Sequence, residues 1–440
     1  MRMPLIKNSL LPHIVFLLIG LLGARTSHAE VDNIEDFFEQ TVIQGHLRTY
    51  FFTRDYLNPT PYRIDQQAVS AGGYLGILTP SVYGFQSGLT LYGANSLGLN
   101  PVNPDQVDTT LPGNTLYALG EAFLRYKDGI ITLQGPEQVI DTPWVGPADG
   151  RMLQSTFRGF YGTLTPLEHV TLAGFRLTDF KGRDEGVFTP SNLYYPGYAG
   201  GSPVQGLQNH ATSGAQGVSL QYGMDKKDNP IRAQFWWNHF FNFSNLLWLD
   251  GRYTCKTGDG LNPFIGFQFA NQSGDGENYL QLYGNQGKAG NVQAYGVIAG
   301  WDMLPWLSLQ AAYNAVGAQT GAFANGDLLS PYSTGYATDP LYTTSMIGGM
   351  IEKQAPGQAY KVSATAWLYD RQLKALASFA EYYVSPYTRN QSEFDLDITY
   401  TFPKGHTLNG LSIRDRLGLL SGNPDYSQFY YNRVMIEYVF

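Results

Sequence analysis

The 440-residue chain carries 50 Gly, 31 Tyr and 25 Phe, is 14% aromatic, and is only 15% charged, where soluble domains carry about 25%. A formal net charge of −8 gives it no electrostatic footprint for nucleic acid. Its single cysteine, Cys255, excludes an internal disulfide and fits a lone gap-filling side chain, and no Cys/His spacing suits a metal.

The chain opens with Met1, Arg2 and Lys7, continues through an apolar run from Ile14 to Ala24, and reaches Ser27-His28-Ala29, a small-x-small cleavage pattern. Residues 1–29 are predicted to be a removed signal peptide. A retained anchor is the alternative, but the run is roughly half of the ~20 residues a spanning helix needs. Cleavage removes three cations (Arg2, Lys7, Arg25) and no acid, which takes the net charge from −8 to −11. Beyond Ala29 there is no uninterrupted apolar run of spanning length. A mature chain that enters a membrane must therefore do so as a closed barrel, because lipid offers no partner to unpaired backbone groups.

Period-2 alternation then recurs to the end of the chain, while no helical period of similar length competes with it. Weak alternation marks residues 44–55, 88–94, 118–126, 278–284 and 308–314 as strands. In 360–369, "YKVSATAWLY", Tyr360, Val362, Ala364, Ala366 and Leu368 oppose Lys361, Ser363 and Thr365. In 394–402, "FDLDITYTF", the apolar residues oppose Asp395, Asp397, Thr399 and Thr401. The last residues place Tyr430, Asn432, Val434, Ile436, Tyr438 and Phe440 on one face, opposite Tyr431, Arg433, Met435, Glu437 and Val439. Long polar or glycine-bearing loops are expected near 95–115, 134–160, 179–215 and 321–357. At roughly 10 residues per tilted strand, residues 30–440 supply 16 to 18 strands of one all-β transmembrane antiparallel barrel, with no linker to divide them.

The stretch "LSIRDR" at 411–416 sets Arg414 and Arg416 on one strand face and Leu411 and Ile413 on the other. An arginine facing lipid at mid-membrane costs ~2 to 4 kcal/mol in a barrel, so two on one face indicate that the face is wet. Two alternatives remain at this point: the pair sits at the rim beyond the hydrocarbon, or it forms wall-stiffening salt bridges with Asp395 and Asp397. Guanidinium forks suit carboxylates, and arginine or lysine rings favour anions in pores.

Enzyme signatures are missing. No Gly-x-Ser-x-Gly elbow occurs, the histidines at 46, 169, 210, 239 and 406 lack paired-ligand spacing, and "GPADG" does not lead into a helix that could cradle phosphate. Asp395 and Asp397 resemble a carboxylate dyad only in spacing, and an open strand face suits pore lining better. No cofactor is expected.

Several stretches resemble the OprD family of substrate-specific outer-membrane porins: "LRTYFFTRDY" at 47–56, "PWVGPADGRMLQSTFRG" at 143–159, "DPLYTTSMIGGMIEKQAPGQAYKV" at 339–362, and the closing "LSIRDR" and "NRVMIEY". The resemblance implies a barrel of about 18 strands whose wall arginines face an inward-folded constriction loop. It carries over to Arg48 and Arg54 in the first strand, to Asp149 and Arg151 in the loop, and to Arg414, Arg416 and Arg433 near the end. The family's loop proline is Gln154 here, its Gly-Arg-Gln is replaced by Gly135-Pro136-Glu137-Gln138, and the strand at 374–384 offers Lys374 and Glu381 where another arginine is expected. The implied function is passive, partly selective uptake of small, carboxylate-bearing solutes. Asp395 and Asp397 would serve the cationic part of a zwitterion or tune the field. The implied partners are the outer-membrane lipid, the barrel-assembly machinery acting on the strand that ends in Phe440, and two further copies in a homotrimer. A general diffusion porin, an outer-membrane enzyme and a secreted soluble β-rich binding protein are the alternatives.

Overall fold

The computed structural model describes residues 34–440 apart from 61–62, 114, 148, 191–197, 200–201, 204–209, 259, 277, 284–286, 331–339, 352–355, 385–389 and 423–427, so the leader assigned to 1–29 lies outside the described residues. A short helix, α1 (Ile34–Glu39), precedes β1 (Val42–Tyr56), β2 (Gln66–Leu78), β3 (Phe85–Asn95), β4 (Leu116–Asp128), β5 (Ile131–Gln138), β6 (Thr156–Leu167) and β7 (Val170–Lys181). The next loop holds a two-residue pair, β8 (Tyr198–Ala199) and β9 (Ser202–Pro203). Then follow β10 (Ala215–Tyr222), β11 (Ile231–Phe240), β12 (Ser244–Thr254), β13 (Phe264–Gly274), helix α2 (Tyr279–Tyr283), β14 (Asn291–Leu304) and β15 (Leu307–Val316). The chain closes with β16 (Gly357–Leu368), β17 (Leu373–Val384), β18 (Gln391–Thr401), β19 (Leu411–Ser421) and β20 (Gln428–Val439).

Apart from the small pair, consecutive strands pair antiparallel, and β1 pairs with both β2 and β20. The result is a closed ring of 18 strands, the upper bound of the sequence estimate. Closure leaves no unpaired edge, which is the condition for backbone in hydrocarbon. No helix among the described residues is long and apolar enough to cross a membrane.

Alternation sets two environments. On β1, Arg48, Tyr50 and Phe52 are buried inside while Leu47, Thr49 and Phe51 face out; on β20, Tyr431, Arg433 and Met435 turn in while Ile436 and Tyr438 turn out. Outward tyrosines at 295, 313, 360 and 383 form part of one aromatic girdle, and Tyr253, Trp301, Trp306, Tyr438 and Phe440 mark the other, as at the two interfaces of a membrane barrel. The turns at 79–84, 129–130, 168–169 and 305–306 are short, and the long loops all leave the opposite end. Gly73 has a φ of +139°, and a Cβ there would lie 1.8 Å from the His46 carbonyl oxygen, so the contact between β1 and β2 admits only glycine at that point.

Two expectations are corrected. The alternation at 278–284 predicts a strand, but Tyr279–Tyr283 form α2, because the buried Asn278 side chain accepts from Gln281 N at 3.1 Å and caps a helical turn. The loop placed at 134–160 is shorter: Gly135, Pro136, Glu137 and Gln138 belong to β5, so the connection spans 139–155.

The lumen is partly filled by its own loops. Trp144 and Val145 pack with Trp236, Trp248, Phe323, Leu328 and Leu341 on one side, while Met152 and Leu153 pack with Tyr50, Phe52, Leu111 and Tyr431 on the other.

Candidate functional site: an arginine column facing an inserted loop

Because β19, β20 and β1 are successive neighbours in the ring, Arg414, Arg416, Arg433, Arg48 and Arg54 gather on one side of the lumen. Arg416 lies directly across from Arg433, and Arg433 from Phe52. This places them well inside the strands rather than at the rim. Each guanidinium has a defined seat. Arg414 grips Asp397 with two nitrogens, at 2.8 and 2.5 Å, and Arg416 Nε lies 3.1 Å from the same carboxylate. Arg48 Nε meets Glu437 at 2.5 Å and its Nη1 meets Asp149 at 3.0 Å. Arg54 pairs with Asp108 at 3.0 Å, a buried acid from the loop between β3 and β4. The salt bridges to Asp397 raised as an alternative on sequence therefore exist, but in the lumen and within the column.

The 139–155 loop reaches the column from the other side of the barrel. Trp144 is fully buried edge-on to Trp248 of β12, with ring centroids 5.5 Å apart. Farther along, Arg48 donates to the Arg151 carbonyl, Tyr50 donates to the Gly150 carbonyl at 3.1 Å, and Arg151 donates to the Tyr431 hydroxyl at 2.9 Å. The loop thus spans the lumen and is fixed at both ends. Arg151 and Arg433 both lie against Tyr431, 5.8 and 4.3 Å from its ring centre. Among the described residues no carboxylate pairs with Arg433, whose Nη2 donates to the Met346 carbonyl at 3.3 Å.

Asp395 also faces inward, but its carboxylate is buried and accepts from Met346 N at 3.1 Å and the Ser378 hydroxyl at 3.2 Å. It anchors a second inserted loop whose inward path sequence reading did not anticipate. Residues 340–351 of that loop are tied to Asp250 through Tyr342 (2.6 Å), to Gln268 through the Pro340 carbonyl (2.7 Å), to Asn314 through Thr343 N (2.9 Å), to Lys361, and to Tyr382 (2.8 Å). Glu393 accepts from Ile347 N at 2.5 Å. The lumenal Gln, Asn and acid residues on successive strands were the available signal, since backbone crossing a lumen needs such partners. Lys374 faces inward, whereas Glu381 alternates outward and accepts from Tyr383 at 2.6 Å, so it takes no part in the column.

The fold is that of a transmembrane β-barrel with inward-folded loops. Neither a protein-family model nor a curated protein matches the chain. Solved structures do: Pseudomonas aeruginosa OccK9 (OpdG) superposes with a TM-score of 0.74 at 17% identity, covering 92% of this chain and 99% of that one. Acinetobacter baumannii OccAB3 gives 0.72 at 15%, covering 91% and 99%. Pseudomonas aeruginosa OpdK, solved with vanillate, gives 0.70 at 14%, covering 92% and 99%. At these identities the likeness establishes the fold, and it agrees with the architecture that the OprD-like motifs implied.

Proposed function

We propose that the chain is an outer-membrane channel for passive, partly selective uptake of small carboxylate-bearing solutes. The observation that carries this reading is the lumenal column itself: Arg48, Arg54, Arg151, Arg414, Arg416 and Arg433 are set against Asp108, Asp149, Asp397 and Glu437, six cations against four acids. Asp395 and Glu393, hydrogen-bonded to loop backbone, add two acids beside it, and the inward-facing Lys361 and Lys374 add two cations, which makes eight against six. The surplus is therefore positive where the inserted loop approaches the wall. A carboxylate passing there meets planar donors already held in place, so little side-chain entropy is lost on contact. Vanillate, the molecule in the OpdK structure, is itself a small carboxylate.

Arg414→Gln/Arg416→Gln should leave the barrel folded yet slow liposome uptake of an anionic solute more than that of a neutral solute of equal size. If both slow equally, or neither changes, the arginines are structural and the pore is a general diffusion channel.

A further inference from the structure

Halfway around the ring from the column, at the end bearing the short turns, four cations share one cavity: Lys227, Arg232, Arg252 and Lys256 line a volume of about 180 Å³. Arg232 and Arg252 are directly opposed on β11 and β12, a like-charge pairing that destabilises a sheet when nothing lies between the charges. Both turn into the lumen, on the same faces as Trp236 and Trp248. Among the described residues none of the four cations has a salt-bridge partner, and Arg232 Nε is buried without a hydrogen bond. Among the described residues Asp302 is the one acid in the lining. The next lumenal acid on β12, Asp250, is engaged by Tyr342 at 2.6 Å and by Gln234 at 3.4 Å.

The cavity is held in shape. Thr254 N donates to the Pro230 carbonyl, Cys255 N to the Pro263 carbonyl and Asp302 N to the Leu261 carbonyl, at 2.7, 2.8 and 2.7 Å, which ties two turns and β14 together around it. The Arg252 guanidinium stacks 3.5 Å from the centre of the Phe264 ring, which fixes its plane. Thr254 and Asn262 add uncharged polar groups.

The geometry points to a second oxyanion-binding site here, at the short-turn mouth of the lumen, for a soluble multivalent anion of phosphate or small polycarboxylate type. A doubly charged oxyanion between Arg232 and Arg252 offsets their repulsion and fills their forks, and the two lysines supply point charges around it. The site is separate from the column and does not depend on the column's selectivity.

The test uses the full-length barrel in detergent, with inorganic pyrophosphate as probe and ³¹P line broadening as the binding readout. Wild type should bind saturably, Arg232→Gln/Arg252→Gln should weaken binding about tenfold or more, and Arg232→Lys/Arg252→Lys should retain part of it. Arg414→Gln/Arg416→Gln should retain the saturable binding that the Arg232/Arg252 glutamine variant loses. In planar bilayers, pyrophosphate added on the short-turn side should produce current blocks that the Arg232/Arg252 glutamine variant loses while its conductance persists. No saturable binding, binding unchanged in that glutamine variant, or binding lost only in the Arg414/Arg416 variant would each overturn the assignment.

Discussion

Asp397 holds two guanidinia at once, and removing its charge isolates both. Asp397→Asn should destabilise the barrel by about 1 to 3 kcal/mol, less than a fully buried pair would lose because these side chains keep partial solvent contact. Urea titration of the folded gel band, which migrates differently from the boiled one, would measure it; an unchanged midpoint would show that the pair adds nothing to the fold. Asp327 presents the opposite case. It is buried in the loop after β15, and burial pushes its carboxyl well above the usual carboxylate range. Near and below the unfolded-state value of about 4, both states hold the proton. As pH rises from there through the raised folded value, the unfolded chain releases its proton first, so stability falls across that window. Asp327→Asn should flatten that slope above about pH 4, while leaving stability at the acid end little changed. A wild-type midpoint that rises with pH over the same interval, with the variant tracking it, would refute this.

At the scale of elements, the 139–155 loop works as a strut between two walls. Trp144→Ala removes its hold on β12 at a cost of about 3 to 5 kcal/mol, and the loosened loop should raise single-channel conductance and open-channel noise. Deleting residues around Asp149 to Leu153 should widen the pore further. Unchanged conductance in folded variants would place the constriction elsewhere, the 340–351 loop being the other segment that crosses the lumen. The inward course of the first loop was legible from its motif. That of the second was not, because its partners Gln268, Asn314, Tyr382 and Glu393 are spread over four strands and converge only on closure. Strand periodicity failed for a related reason. In β11 and β12 the inner residues Trp236, Phe240, Leu246 and Trp248 pack on the inserted loops, so apolar side chains stand on both faces of that part of the strands and the period of two weakens there.

Across the whole molecule, barrel class and the clustering of the arginines followed from a secreted pattern, few charges and alternating strands whose first and last members must meet. Folded protein in detergent should give a β-dominated circular dichroism spectrum, and a helix-dominated one would rule out the architecture. The balance of charge along the lumen was less legible, since Asp108, Asp149 and Glu437 find Arg54 and Arg48 only in three dimensions. That balance is the central claim, and the zero-current potential of single channels across a salt gradient tests it most directly. Wild type should show anion preference, and Arg151→Gln/Arg433→Gln should move the potential toward cations with the channel still open. An unaltered potential in a conducting variant would contradict the account.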